Sequence, residues 1–484
     1  MNLFYGRKDL LGQLNTLWMK RTSSFVTCRG RRRIGKSALI AKFADVSNAR
    51  LIALEGVAPQ PGMSNTDQLA AFGRQLGEQV GLPAFKPDSW FDAFRFLEAS
   101  LPKAERLVVL LDEISWMGKY DQNFAGELKY AWDRRFKNVE GLILVACGSV
   151  SSWISVNILG NTGFVGRISL DLVVRELPPR DCISFWGDAA QRVSCREILD
   201  VMAITGGVPK YLEEVIPALS ADENIRRMCF LPNGYLFGDF ENIFSSVFGG
   251  ESPLKRKILE LLSLGDKTRL EIADALGISA NGQLSSVLDD LELAGFTASD
   301  TGFNPETGKQ AKSGIYRLRD NYTRFYLRYI KPHRAEIESA RYVCVTVQAL
   351  PEWNSVAGLQ FENLVRNNLG ELLPLLHLEG IQILGAGPFR KLTGDSTRGV
   401  QIDMLIQTPS AVHVVEIKRK KEIGDEVVSE MKEKLRRLKV RRGMSVRTAL
   451  VYDGMLTKSV RANGFFDAIV SADMLLGIPP YACL

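Results

Sequence analysis

The chain has 484 residues, 46% hydrophobic and 24% charged, too long for a single core and ordinary for a globular protein of about two to four domains. No apolar stretch reaches the ~18 residues of a membrane-spanning helix, and a net charge of +6 permits nucleic-acid binding without demanding it. Seven cysteines (Cys28, Cys147, Cys182, Cys195, Cys229, Cys344, Cys483) form no C-x-x-C pair, the three histidines (His333, His377, His413) lie far apart, and Met1 to Lys8 lack the apolar run of a secretory signal. These features argue against a zinc or histidine-rich centre and a disulfide framework, and they point to the reducing cytoplasm.

The first element in chain order is Ser24 to Cys28, which reads as a short buried strand. It leads into Gly30-Arg31-Arg32-Arg33-Ile34-Gly35-Lys36-Ser37, a complete match to G-x-x-x-x-G-K-[ST], and then into a helix from Ala38 to Phe43. Each fixed position has a mechanical role. Gly30 and Gly35 let the backbone fold tightly so that successive N–H groups face phosphate oxygens, Lys36 reaches the β- and γ-phosphates, and the Ser37 hydroxyl ligates Mg²⁺. The side chains of Arg31, Arg32 and Arg33 either contact phosphate or a partner, or point to solvent while the backbone binds. The pattern predicts a site for a nucleoside triphosphate, ATP or a close relative.

Next, Arg106 to Glu113 is an unbroken apolar run ending in Asp112-Glu113, as a central parallel strand requires. Its carboxyl end is where ligands bind in such sheets, which assigns Asp112 to Mg²⁺ through water and Glu113 to activating the attacking water. A further apolar run, Gly141 to Cys147, ends in Gly148-Ser149; Ser149 is either a γ-phosphate sensor or part of a turn. Arg134, Arg135 and Arg167 are candidate arginine fingers, with a solvated surface arginine the alternative for each. A finger supplied by a neighbouring copy would make the chain a homo-oligomer.

With Phe4-Tyr5-Gly6-Arg7 at the start and Gly206-Gly207-Val208-Pro209 further on, residues 1–245 resemble an archaeal-type AAA ATPase of the STAND-related class. The resemblance implies a phosphate-loop core over 1–175 and a helical lid over 176–250. It also implies that the opening motif flanks the base and that the glycine-proline motif touches the nucleotide, which would place Pro209 and Tyr211 near it. Read without the resemblance, that motif is a turn between helices.

Residues 251–330 read as a winged helix-turn-helix: helical patterns over 254–263 and 269–276, a break at Gly277-Ile278-Ser279, a helix from Gln283 to Glu292, and wing strands near Gly295 and Gly314. The candidate recognition helix carries three acids and no base, so direct DNA readout and a structural or protein-contact role stand as equal alternatives. A basic patch would come instead from Arg317, Arg319, Arg324 and Arg328. Residues 331–356 read as a linker.

In the C-terminal region, 357–484, Gln401 to Ile406 and His413 to Lys418 alternate as strands around a turn at Thr408-Pro409-Ser410. The hairpin would bring Asp403 beside Glu416, a carboxylate pair suited to Mg²⁺ or Mn²⁺. Lys418 would assist a phosphorane-like transition state, and Glu362 on an upstream helix would add a carboxylate. An ordinary charged surface hairpin is the alternative. The set Glu362, Asp403, Glu416-x-Lys418 resembles the PD-(D/E)XK nuclease superfamily, with Ile402 in place of the proline. The order ATPase, winged helix, nuclease-like module also resembles a family of archaeal and bacterial ATPases, and Asp320-Asn321-Tyr322-Thr323-Arg324-Phe325-Tyr326 looks like its D-x-x-x-R-F-[WY] motif. A basic run from Lys418 to Lys421 precedes a helix near 425–439. One face of that helix is apolar (Val427, Met431, Leu435, Leu438), and the other carries Lys432, Lys434, Arg436, Arg437 and Lys439. That basic face is either solvated or tracks a phosphate backbone.

The sequence thus predicts an α/β phosphate-loop ATPase with a lid, a winged helix and a restriction-endonuclease-like α/β domain. In the first reading ATP controls a Mg²⁺-dependent phosphodiesterase acting on DNA. In the second the chain is a regulatory STAND-type switch whose nuclease-like domain only binds nucleic acid or protein.

Overall fold

The computed structural model describes residues 3–478 except 21, 103–105, 150, 250–251, 312–313, 344–345 and 392–398, so Cys344 and Cys483 lie outside the described residues. The chain forms two compact units, Met1–Glu176 and Leu177–Leu484. Among the described residues no helix is long and apolar enough to cross a membrane.

The first unit is built on five parallel strands: β1 (Ser24–Arg29), β2 (Arg50–Glu55), β3 (Leu107–Asp112), β4 (Leu142–Gly148) and β5 (Ile168–Val173). They lie in the order β2-β3-β4-β1-β5. The central strands β1, β3 and β4 are buried almost throughout, which is why their sequences are unbroken apolar runs. One core cluster includes Phe25, Trp90, Phe94, Val109, Leu111, Phe124 and Leu144. Strand β2 is an edge, and an edge strand presents unpaired backbone groups. The helix Asn65–Val80 covers it with three glutamines. Gln79 bonds both the N–H and C=O of Ala53 (2.8 and 2.6 Å), Gln75 those of Glu55 (2.7 and 2.9 Å), and Gln68 those of Val57 (2.9 and 2.8 Å). Every second residue of an extended edge turns its amide the same way, so one helix face can act as the missing strand.

The second unit begins with helices, among them Cys195–Thr205, Ala221–Cys229 and Asp239–Phe248. Three further helices, Pro253–Ser263, Arg269–Leu276 and Gly282–Leu293, accompany a small antiparallel sheet of β6 (Lys267–Thr268), β7 (Thr297–Asp300) and β8 (Ile315–Leu318) in the order β6-β8-β7. Gly277 ends the Arg269–Leu276 helix at φ 64°, the left-handed conformation glycine adopts without strain. A larger mixed sheet follows, made of β9 (Gly385–Lys391), β10 (Val400–Gln407), β11 (Ala411–Ile423), β12 (Ser445–Leu456) and β13 (Ala468–Ser471). Strands β9, β10 and β11 are antiparallel, while β11, β12 and β13 are parallel. The parallel step from β11 to β12 is bridged by the helix Glu426–Arg437, which buries Val427, Val428 and Met431 in the sheet's core.

The segment Asp320 to Phe325 stitches this unit together. Arg324 donates to Gln360 Oε1 (2.6 Å), and Gln360 donates to the carbonyls of Ala203 (2.9 Å) and Asn321 (2.7 Å). Asn321 donates to Met202 O (3.2 Å) and accepts from Asn363 (2.7 Å). Burial drives the Arg324 guanidinium down to about 10. Arg317 and Arg324 therefore do not belong to a surface basic patch. Both are buried, Arg317 on Asp300 (2.7 Å) and Arg324 on Gln360.

Candidate functional sites

In the first unit β1 runs into the phosphate loop. Gly30 has φ 154°, and a Cβ there would meet Val174 O at 2.3 Å, so only glycine fits. Gly35, at φ 87°, caps the helix Lys36–Val46, and Arg33 between them is also left-handed at φ 67°. Lys36 is buried and donates to the carbonyls of Gly30 and Arg31, both at 3.0 Å. Ser37 Oγ, which is exposed, donates to Asp112 Oδ2 at the end of β3. Asp112 Oδ1 accepts the N–H of Glu113 (2.9 Å). Glu113 sits at φ 45° and accepts from Ser149 Oγ (2.9 Å), which lies at the end of β4 and is buried. The hydroxyl, the two carboxylates and the loop thus converge at the carboxyl ends of β1, β3 and β4, a hard-oxygen set that fits Mg²⁺ with a triphosphate.

The arginines of the loop are placed individually. Arg31 is buried, Arg32 lies 5.0 Å over the Trp116 ring, and Ile34 is buried with its carbonyl accepting from Arg7 (3.1 Å). That last bond ties the Phe4 to Arg7 motif to the loop. Arg167 makes a two-pronged pair with Asp133 (2.7 and 2.9 Å), and this pairing holds the Asp133 carboxyl down to about 2. Arg135 pairs with Glu98 (2.8 Å), whereas Arg134 is exposed.

The sequence reading missed a third carboxylate, Glu55. It ends β2 directly opposite Asp112. Burial and then the charges of Asp112 and Glu113 push its carboxyl up, against the pull of Arg32. Its signal was its position: like Asp112, it terminates an apolar strand.

In the second unit Gly206 and Gly207 are left-handed, and a Cβ on Gly207 would meet Leu177 O at 2.5 Å. Pro209, half-buried, starts the short helix Pro209–Leu212. Tyr211 is wholly buried in this unit, its hydroxyl on Asp239 (2.9 Å) and its ring 5.2 Å from Tyr322.

The other charged cluster sits where β10 and β11 pair. The register Met404–Val415 sets Asp403 against Glu416, and Ile417 N–H donates to Asp403 Oδ2 (2.8 Å). Glu416 is buried and accepts from Lys418 (2.7 Å). Glu362, on the helix Trp353–Asn367, accepts from Arg366 (2.8 Å), which also reaches Asp266 (2.6 Å) and the Asp403 carbonyl (3.3 Å). Burial pushes Glu362 up to about 7, opposed by Arg366 and helped by Asp403. Asp403 is raised by burial and by Glu416. Burial alone would lower the Lys418 ammonium; Glu416 and Glu430 outweigh it and hold it above its usual range.

Lys434 departs from the outward-facing basic stripe, solvated or tracking a phosphate backbone, in which its helix pattern placed it. It turns inward and grips both oxygens of Glu416 (2.8 and 2.6 Å). Asp403 and Glu416 form a two-carboxylate pair, and among the described residues no group of three or more His, Cys, Asp or Glu side chains is arranged to hold a metal ion. Lys434 holds both oxygens of Glu416 and Lys418 only one, so Glu416 has an oxygen for a cation only when Lys434 leaves.

No family model matches the chain. An uncharacterized protein of Methanocaldococcus jannaschii is 25% identical over 374 residues, spanning 76% of this chain and 78% of its own length. Among solved structures, a Walker-type ATPase of Pyrococcus abyssi is similar over 67% of this chain and 96% of its own, at 15% identity and a TM-score of 0.47. The ORC2 protein of Aeropyrum pernix is similar over 69% and 93%, at 16% identity and a TM-score of 0.39. The Cdc6p protein of Pyrobaculum aerophilum is similar over 69% and 95%, at 14% identity and a TM-score of 0.34. Strand order and loop geometry, rather than these likenesses, make the first unit a phosphate-loop ATPase fold.

Proposed function

We propose that the chain binds and hydrolyses ATP with Mg²⁺. The observation that carries this reading is the convergence of Ser37, Asp112 and Glu113 beside the phosphate loop, with Glu113 held by Ser149. Residues Gly30 to Ser37 would cradle the phosphates and Lys36 would neutralise them. Ser37 and Asp112 would hold Mg²⁺, which supplies charge neutralisation at the phosphates when bound. Glu113 would take the proton of the attacking water, and Ser149, bonded to it, would report the γ-phosphate. Pro209 would be the lid contact by resemblance alone, and a finger role for Arg167 requires that it leave Asp133. Phosphate release by purified protein tests the reading. Glu113→Gln should keep ATP binding while turnover falls roughly 100-fold or more, and Lys36→Ala should lose binding as well. A wild-type protein that releases no phosphate would sink it.

A second reading concerns the other unit and is favoured by the register that sets Asp403 against Glu416 beside Lys418. It is a divalent-metal phosphodiesterase site acting on DNA under control of the nucleotide. Asp403 and Glu416 would hold Mg²⁺ or Mn²⁺, Glu362 would support them, and Lys418 would stabilise the transition state. Cleavage of plasmid DNA that disappears in Asp403→Ala supports it. Binding without cleavage under ATP and Mn²⁺ would leave the unit as a non-catalytic nucleic-acid or protein-binding module.

A further inference from the structure

The site residues on β10 and β11 belong to a longer row of alternating charge completed by the helix Glu426–Arg437. Glu430 meets Lys418 (3.0 Å), Lys418 meets Glu416 (2.7 Å), and Glu416 meets Lys434 through both oxygens (2.8 and 2.6 Å). Glu430 and Lys434 are one helical turn apart and present the same face. Glu416 is 1% exposed, so its charge must be matched, and in this structure two ammonium groups match it where a cation would stand. Asp403, opposite, uses one oxygen on the Ile417 N–H. Lys434 itself is 22% exposed, at the rim of the buried cluster.

Resting on the reading of this pair as a phosphodiesterase site, we infer that Lys434 is a resident competitor of the divalent cation, released when it transfers from Glu416 to a phosphodiester chain. An ammonium cannot share both oxygens of one carboxylate with Mg²⁺ or Mn²⁺ without like-charge repulsion. A polyanion at the rim offers Lys434 another partner. Cation and nucleic acid then bind with positive cooperativity, because each favours the state in which Lys434 has left Glu416. A site built this way stays unloaded until substrate arrives.

Mn²⁺ affinity of the nucleotide-free full-length chain, read by electron paramagnetic resonance with and without a short DNA duplex, tests the inference. The matching Asp403→Asn protein supplies the baseline. Lys434→Met should tighten Mn²⁺ binding by about tenfold or more without DNA, and Lys434→Arg should behave as wild type. Duplex should tighten Mn²⁺ binding to wild type and add nothing to Lys434→Met. If Lys434→Met binds Mn²⁺ no better than wild type while Asp403→Asn weakens binding, the competitor role is overturned and the metal site stands. If Lys434→Met tightens but duplex has no effect on wild type, transfer to phosphodiester is overturned. If Asp403→Asn changes nothing in either background, the metal site and the inference fall together. Melting curves check folding, and Lys434→Gln carries the same comparison should the methionine variant not fold.

Discussion

In the first unit the charged groups of the candidate site rest largely on neutral partners: Lys36 on two loop carbonyls, Asp112 on a hydroxyl and an N–H, Glu113 on Ser149. In the second, charge meets charge: Glu416 on two lysines, Glu362 on Arg366, and next along β11 Arg419 between Asp200 (2.6 Å) and Asp453 (2.8 Å). A site held by backbone and hydroxyls can lose a functional side chain and keep its fold. A site held by buried ion pairs loses more stability, because removing one partner strands the other.

The largest expected effect follows from Arg419, whose side chain is 1% exposed and joins β11 to β12 and to the helix Cys195–Thr205. Arg419→Met leaves Asp200 and Asp453 buried, with Arg196 on Asp453 (2.7 Å) and the neutral Gln348 on Asp200 (3.4 Å) still in place. The loss should be about 3 kcal/mol, the lower end for a broken buried pair, read from urea melts. Lys36→Met, by contrast, unpairs two carbonyls and should cost roughly 1 kcal/mol while abolishing nucleotide binding. Equal losses of stability for the two would break the comparison.

A smaller effect sharpens it from within the first unit. Gln79→Leu removes both bonds to Ala53 and leaves part of the β2 edge uncovered. The expected cost is about 1–2 kcal/mol, with a rise in concentration-dependent aggregation in light scattering as the edge opens. A melting temperature and a scattering signal that both stay at wild-type values would show that water replaces the glutamine.

How much of this was legible depends on locality. The phosphate loop is eight consecutive residues, and Asp112-Glu113 closes one apolar run, so the sequence carries both outright. The Asp403–Glu416 facing was legible because a hairpin register is set by its short turn. Lys434 and Glu430 were not. A helix pattern says which residues share a face, but the inward turn of Lys434 comes from the buried charge of Glu416, 18 residues upstream on a strand. The glutamines of the Asn65–Val80 helix read as ordinary polar positions until the edge beneath them is known. Arg317 and Arg324 looked like surface cations because their acceptors, Asp300 and Gln360, come from other elements.

The smallest effect concerns Arg167, a candidate finger held by both oxygens of a neighbouring carboxylate. Asp133 is held down to about 2 in the folded chain against 3.8 ordinarily, first by Arg167 and then by Lys129. A depressed carboxylate stabilises the fold above its unfolded pKa and loses that contribution as pH falls through the folded one. Arg167→Ala should therefore lower the melting temperature slightly at pH 7. The gap to wild type should close between about pH 4 and pH 2, where Asp133 protonates in both. ATP turnover at pH 7 separates this structural role from a catalytic one. A finger would cost roughly a thousandfold in turnover, whereas a strut between the helix Phe124–Arg134 and the loop before β5 would cost less than about twofold. The first result would require Arg167 to exchange Asp133 for phosphate during turnover, a charge-for-charge exchange otherwise confined to the second unit.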